Sequence, residues 1–375
     1  MKVIFTCGGT AGHVNPALAL AGLIRERRPD SEILFVGARR GIERRLIEEA
    51  GWPFEAVEVS SFHRSLKPKE IRHNLISVKN LIFSPREARD ILRRFPADLV
   101  VGTGGYASYP LIRAAAKRGI ATAIHESNAI PGLTTRLLEK YADIIMVGFE
   151  ECRKNYKRPE KVIVTGTPVR GDFFAMTRKE AKKALGMDDG RPIIVSFWGS
   201  LGAASMNRQM AEFMALECRE RKFHHVHGAG VVGSQQMSEY LSGAGVDLSN
   251  VPEIEVREYI SNMGTLMRAS DLVISRAGAS TISELTALGV PAIIVPSPNV
   301  ANNHQEHNAR VLADAGGAAM ILEKDCSGKI LYDTVCGILE DEERHKAMRS
   351  AMASLGTVDA ARQIYDAVMA LCKTR

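Results

Sequence analysis
The 375 residues are 45% hydrophobic and 25% charged, the balance of a globular chain with full cores, and the length favours two domains. No apolar run approaches the ~20 residues of a bilayer-spanning helix, and six scattered cysteines without a C-x-x-C pair argue against a disulfide framework or a zinc site. The net charge of +6 is matched by one segment, Ser61 to Arg94, which holds nine Lys/Arg and three Asp/Glu.

Short apolar strands alternate with amphipathic helices, the pattern of parallel α/β sheets. Strands are expected at Lys2–Thr6, Ile33–Val36, Glu55–Val59, Leu99–Val101, Ala121–His125 and Ile144–Val147, with helices at Pro16–Arg28 and Ile42–Ala50. A strand from Lys2 leaves no signal peptide to be expected, and the cysteine usage fits a reducing cytoplasm. The turn Gly166-Thr167-Pro168-Val169-Arg170 is the expected hinge. The alternation then restarts, with strands at Ile193–Phe197, His224–His227, Glu253–Val256, Leu272–Ser275, Ala292–Val295 and Ala319–Leu322. Helices are expected at Ala203–Glu220, Ile282–Leu288, Gln305–Ala315 and Asp359–Leu371.

Three glycine loops each follow a strand and precede a helix: Gly8-Gly9-Thr10-Ala11-Gly12-His13, Gly102-Thr103-Gly104-Gly105-Tyr106 and Gly199-Ser200-Leu201-Gly202-Ala203. Glycine admits a ligand close to backbone, and a helix start offers free N–H groups to phosphate. Ligands of parallel sheets lie beyond the carboxyl ends of the strands. His13, at a helix start, is placed as a neutral proton acceptor. His125-Glu126-Ser127-Asn128 ends a strand with groups suited to sugar hydroxyls, or to capping the helix near Leu133. In Arg276 to Glu284, small residues open a helix that Ser280 or Thr281 can cap. Glu284 reads either as the acid of a capping box or as a carboxylate gripping ribose hydroxyls. The amide-rich run Asn302-Asn303-His304-Gln305 suits a sugar. His304 and His307 have metal-like spacing but lack a third ligand.

In order and spacing these elements resemble, over nearly the full length, the MurG family of GT-B-fold glycosyltransferases of bacterial peptidoglycan synthesis. Gly8–His13, Gly102–Tyr106, His125–Asn128, Gly166–Arg170, Gly199–Ala203 and Arg276–Glu284, with Gln305 and Asn308, fall on the family's motifs. Trp198, Thr167 and Ser127 depart from the family's usual Gly, Asn and Gln.

The resemblance implies an α/β GT-B fold, two Rossmann-like domains facing across a cleft. The expected divisions are an acceptor- and membrane-side domain over 1–166, a donor domain over 167–356, and a final helix over 357–375 packing back on the first. It implies inverting transfer of GlcNAc from UDP-GlcNAc to undecaprenyl-diphospho-MurNAc-pentapeptide, lipid I to lipid II, with a β-1,4 bond formed. His13 or Glu126 would serve as base. Thr10, Ala11, Gly12, Asn128, Arg170, Ser200, Ile260, Ala279, Ser280, Thr281, Glu284 and Gln305 would bind substrates, and Gly104, Gly105 and Tyr106 would form an acceptor or phosphate loop. No tightly bound cofactor and no protein-held metal are expected, a divalent cation such as Mg²⁺ at most assisting.

The helix expected in Lys69–Arg94, with Ile71, Leu75, Val78 and Ile82 on one face and Leu81 and Phe83 beside it, would meet an anionic membrane. The location expected is peripheral, on the cytoplasmic face, with no nucleic-acid partner. Alternatives are a UDP-GlcNAc epimerase or a diacylglycerol glycosyltransferase of the same fold. A dinucleotide-dependent oxidoreductase fits less well, because the first loop does not meet G-x-G-x-x-G and the second strand ends at Ala38-Arg39 without an acid. A non-catalytic nucleotide-binding protein would leave the acceptor-side polar residues without a purpose.

Overall fold
The computed structural model describes residues 1–39, 41–59 and 85–373. The apolar helix face expected over 69–84 lies outside these residues. The chain forms two compact units, Met1–Val169 with Asp359–Arg375, and Arg170–Val358. The change of unit falls inside the Gly166–Arg170 turn.

In the first unit, β1 (Lys2–Thr6), β2 (Glu32–Ala38), β3 (Phe54–Val57), β4 (Leu99–Gly102), β5 (Ala121–Glu126), β6 (Ile144–Val147) and β7 (Val162–Val164) form a parallel sheet ordered β3-β2-β1-β4-β5-β6-β7. Both faces are covered, so the strands read as apolar runs rather than alternating ones. Within β1, Val3 and Phe5 enter one core with Leu20 and Ile24 of α1 (Ala11–Arg27). Ile4 enters the other core, with Ile91 and Leu92 of α3 and Leu111 of α4 (Ser108–Ala116). The described part of α3 covers 85–94. The remaining helices are α2 (Ile42–Glu49) and α5 (Leu133–Leu138). The final helix, α14 (Ala360–Lys373), returns to this unit. Its Ile364, Tyr365, Val368 and Met369 join the β1–α1 core, and Arg27 lies over the Tyr365 ring.

In the second unit, β8 (Ile193–Phe197), β9 (His224–Gly228), β10 (Ile254–Arg257), β11 (Leu272–Ser275), β12 (Ala292–Ile294) and β13 (Ala318–Met320) form a parallel sheet ordered β10-β9-β8-β11-β12-β13. Around it lie α6 (Arg178–Ala184), α7 (Ala204–Glu220), α8 (Ser234–Gly243), α9 (Met263–Ala269), α10 (Ala279–Leu288), α11 (His304–Asp314), α12 (Gly328–Leu339) and α13 (Glu342–Leu355). One core is rich in methionine, with Met206, Met210, Met214, Met237 and Met348 beside Phe213 and Tyr332.

Strand order reverses between β1 and β4 in the first sheet and between β8 and β11 in the second. Crevices open at such reversals, beyond the strands' carboxyl ends. The first two glycine loops follow β1 and β4. The third follows β8, and the Arg276–Glu284 stretch follows β11.

Two expected helix starts are corrected. The first helix begins at Ala11, not Pro16. Proline favours a first turn, but Pro16 lies inside α1 and is buried. The helix expected from Ile282 begins at Ala279 with Gly278 as N-cap.

Candidate active site
In the first unit the two crevice loops pack on each other. Gly105 has a left-handed φ of 83°, and a Cβ there would overlap the Gly8 carbonyl. Gly104 (φ 116°) lies against the imidazole edge of His13, where a Cβ would come within 2.9 Å of Nε2. Thr103 Oγ1 donates to the His13 carbonyl at 2.6 Å, and Ser108 Oγ lies 2.9 Å from the carbonyls of Thr6 and Gly104. The Gly8 carbonyl can only accept, so the 2.7 Å contact with His13 requires the proton on Nδ1. Nε2 then keeps the lone pair and is the basic atom. Thr10, Ala11 and Gly12 open α1, and Thr10 makes no side-chain cap. Tyr106 is exposed.

Glu126 is buried and its carboxylate is spent locally. Oε1 accepts from the backbone N–H and side-chain amide of Asn128 at 3.0 and 2.9 Å. Oε2 accepts from the Gly132 N–H and Thr135 Oγ1 at 2.9 and 2.8 Å. These bonds wrap the 127–132 loop around the acid and place it at the start of α5. Of the two uses open to the His125–Asn128 stretch, Glu126 takes the one at the start of α5, accepting the Gly132 N–H. His125 donates from Nε2 to the Gly166 carbonyl at 2.9 Å, and burial holds it toward its neutral form.

In the second unit the loop after β8 packs on the loop after β9. Gly202 (φ 77°) leaves no room for a Cβ against the Ala229 carbonyl, and the N–H groups of Val231 and Val232 bond the carbonyls of Ser200 and Leu201. Beneath them, Ser196 Oγ lies 2.7 Å from both His225 Nε2 and His227 Nδ1, and His225 Nδ1 donates to Glu217 at 2.8 Å. All four side chains are buried. Burial, reinforced by His225, depresses His227 to about 3. Enclosed in this way, the Ser–His–Glu arrangement meets no substrate. Sequence reading missed it because only the β8–β9 register brings Ser196 opposite His227.

Across the crevice, α10 is the helix that follows β11. Ser280 Oγ is buried without a partner, and Glu284 has no hydrogen-bond partner among the described residues. Glu284 is the sixth residue of α10, beyond its first turn, so the capping-box reading is set aside. Burial pushes its carboxyl up to about 7; the Arg170 charge pulls it down and the Asp172 charge raises it. Arg170 pairs with Asp172 at 3.2 Å. Trp198 is buried and carries the Arg276 guanidinium 5.8 Å over its ring, linking the loops after β8 and β11. Arg276 itself is held by Glu323 and the Val295 carbonyl.

Ile260 is buried against Gly228, with Tyr259 exposed beside it. Gln305 accepts the Ser297 N–H at 2.9 Å, and Asn308 donates to the Ala277 carbonyl at 3.2 Å. Asn302 and Asn303, both with left-handed φ, turn the chain into α11. Among the described residues, no group of three or more His, Cys, Asp or Glu is placed to hold a metal ion, His304 and His307 included. The described residues do not fit a protein-held cation.

The structure therefore places His13 on a pair of interlocked loops in the first unit, and Ser280 and Glu284 on the helix after β11 in the second. Two parallel sheets with these crevices are those of the GT-B fold, and the chain's relatives make it a glycosyltransferase. The N-terminal domain of glycosyltransferase family 28 matches residues 3–147 and its C-terminal domain residues 193–364. A UDP-N-acetylglucosamine–N-acetylmuramyl-(pentapeptide) pyrophosphoryl-undecaprenol N-acetylglucosamine transferase of Acetivibrio thermocellus is 40% identical over all of this chain and 99% of its own length. The transferase of the same name from Listeria welshimeri is 37% identical over the full length of both. The crystal structure of Acinetobacter baumannii MurG matches with a TM-score of 0.77 and 25% identity over 98% of this chain and 99% of that one. A UDP-GlcNAc 2-epimerase from Neisseria meningitidis, 16% identical with a TM-score of 0.66 over 99% of this chain and 100% of its own, shares the fold. The chain belongs to glycosyltransferase family 28 and, within it, to the MurG family.

Proposed function
We propose that this enzyme transfers N-acetylglucosamine from UDP-N-acetylglucosamine to undecaprenyl-diphospho-N-acetylmuramyl-pentapeptide, with inversion at the anomeric carbon. The observation that carries the reading is the uncommitted pair on α10. A buried hydroxyl without a partner at a helix start and a carboxylate without hydrogen bonds nearby suit a diphosphate and a ribose diol. Ser200, Ala279, Ser280, Thr281 and Arg170 meet the diphosphate. Glu284 accepts from the ribose hydroxyls, the backbone at Ile260 reads the uracil and Gln305 holds the sugar.

In the reaction, the acceptor hydroxyl gives its proton to His13 Nε2 as its oxygen attacks the anomeric carbon. The bond to the UDP oxygen breaks on the opposite face, and the departing charge falls to the N–H groups at the start of α10. Glu126, with its carboxylate already fully engaged, shapes the 127–132 loop, and Asn128 stands beside it. Gly104, Gly105 and Tyr106 line the acceptor side.

The site of action follows from the lipid-linked acceptor: the protein binds peripherally at the cytoplasmic face of the membrane. Among the described residues no helix is long and apolar enough to cross a membrane, and Arg86, Arg89 and Arg93 are exposed on α3. Salt-sensitive binding to anionic vesicles, weakened by Leu81→Glu, tests this part. Incubation with UDP-GlcNAc and a lipid-linked MurNAc-pentapeptide analogue, followed by product mass analysis, tests the transfer. Conversion of UDP-GlcNAc without any acceptor would instead assign an epimerase.

A further inference from the structure
Glu43 is a fully buried carboxylate that the reaction as described does not use. On its helix, α2, Ile47 enters the core and Leu46 packs against it, while the other charged residues are exposed, with Arg44 paired to Glu48 and Arg45 to Glu49. Its Oε1 accepts the Ala38 N–H at the end of β2, at 3.0 Å. Its Oε2 accepts the Gly9 N–H in the first glycine loop, at 3.3 Å. Three glycines from separate segments make room for it. A Cβ at Gly8 would stand 2.8 Å from Oε1, one at Gly37 would stand 2.8 Å from Cγ, and one at Gly41 would overlap the carboxylate.

The Gly9 N–H belongs to the same peptide group as the Gly8 carbonyl, which accepts the Nδ1–H of His13 at 2.7 Å. Carboxylate, peptide and imidazole thus stand in one hydrogen-bonded line. We propose that Glu43 is a positioning residue for His13, acting through the Gly8–Gly9 peptide. The buried negative charge polarises that peptide, makes its carbonyl a stronger acceptor, holds the His13 proton on Nδ1 and supports positive charge on the ring as Nε2 takes a proton. A carboxylate bonded directly to imidazole orients the base of a hydrolytic triad in the same sense; here a peptide group stands between them. The inference rests on reading His13 as the base.

Few other charges face this line among the described residues. The Cys7 thiol is pushed up to about 12 by burial and by Glu43 itself. Arg39 is paired with Glu58 and Glu87, and Tyr106 is exposed.

The test uses the whole protein labelled with ¹⁵N-histidine, as parent, Glu43→Gln, Glu43→Asp and His13→Ala. Long-range ¹H–¹⁵N correlation reports the His13 tautomer without substrate. The parent is expected to carry its proton on Nδ1, and Glu43→Gln to populate the other tautomer. In the transfer assay Glu43→Gln should lower kcat about 10- to 100-fold, by analogy with loss of the carboxylate that orients a metal-bound histidine. Donor KM should stay within about twofold and the acid limb of kcat should move to lower pH. Glu43→Asp, which keeps the charge, should recover part of kcat.

A parent carrying the proton on Nε2 overturns the proposal even if Glu43→Gln does not fold. A folded Glu43→Gln with unchanged tautomer and unchanged acid limb also overturns it. A tautomer shift without loss of kcat upholds the relay and removes His13 as the base, a result that an active His13→Ala would reproduce.

Discussion
The two crevices are built from the same parts and put to opposite use. In the first unit the loops after β1 and β4 close on each other, and their polar groups are spent on protein: His13 on Gly8, Thr103 on His13, Ser108 on Thr6 and Gly104. In the second unit the loop after β8 packs on the loop after β9, and across the crevice Ser280 and Glu284 remain uncommitted. Satisfied groups hold one atom in place, as catalysis by a positioned base requires. Buried polar groups without partners raise the energy of the free protein and are repaid by a ligand that bonds them. Under the proposed function, the contrast separates a unit that orients chemistry from one that grips a polar, anionic molecule.

The largest effect that would break this contrast comes from the base. His13→Ala should lower kcat by about 10²- to 10⁴-fold with donor KM little changed. If Glu284→Ala did the same and left KM alone, the division of labour would be wrong. Trp198 tests the second crevice mechanically. Trp198→Ala removes a buried ring beneath Arg276 and should cost about 3–5 kcal/mol in urea unfolding. Gly105→Ala and Gly202→Ala both force a Cβ into backbone at positive φ and should each cost at least about 1–3 kcal/mol. Gly105→Ala should also depress kcat through His13, whereas Gly202→Ala should act on donor KM.

The pH dependences sharpen the comparison further. Glu284 is raised from 4.5 to about 7 in the folded protein. The folded state therefore holds more protons than the unfolded one between those values, and stability without ligand falls as pH rises across that window. If Glu284 grips the ribose hydroxyls, donor binding needs the ionised carboxylate, so KM should improve over the same window, by up to about tenfold per pH unit. Glu284→Gln should flatten both curves. His227 acts with the opposite sign and over a wider window. Its pKa is lowered from 6.5 to about 3, so stability is lost as pH falls below 6.5, by up to about 1.4 kcal/mol per unit. Urea titrations at several pH values read both slopes.

Many of the strands were legible in the sequence because they are short apolar runs between glycine, proline or charged residues. Lys2–Thr6, Ile144–Val147, Ile193–Phe197 and Leu272–Ser275 fall where the pattern puts them. Helix starts were less so, because a start is set by where the preceding loop releases the chain. Pro16 looked like a first-turn proline, yet the glycine loop hands over to helix at Ala11. The three glycine loops were readable because each follows a strand and precedes a helix. Glu43 was not, because Ile42-Glu43-Arg44-Arg45 reads as a solvated helix face, and its burial depends on glycines at 8, 37 and 41 meeting in space. The Ser196–His225–Glu217 arrangement was hidden for a similar reason, since it exists only after β8 and β9 pair.

The return of α14 has a consequence for how the protein is made. The first unit contains both Met1–Val169 and Asp359–Arg375, so the second unit is an insertion within it. At ribosomal speeds of roughly 5–20 residues per second, the intervening ~190 residues take about 10–40 s to emerge. Through that interval the α1 surface that receives Ile364, Tyr365, Val368 and Met369 has no cover of its own sequence. The nascent chain must carry an unfinished first unit while it builds a whole second one, and that interval is when chaperone capture or premature association has its opening.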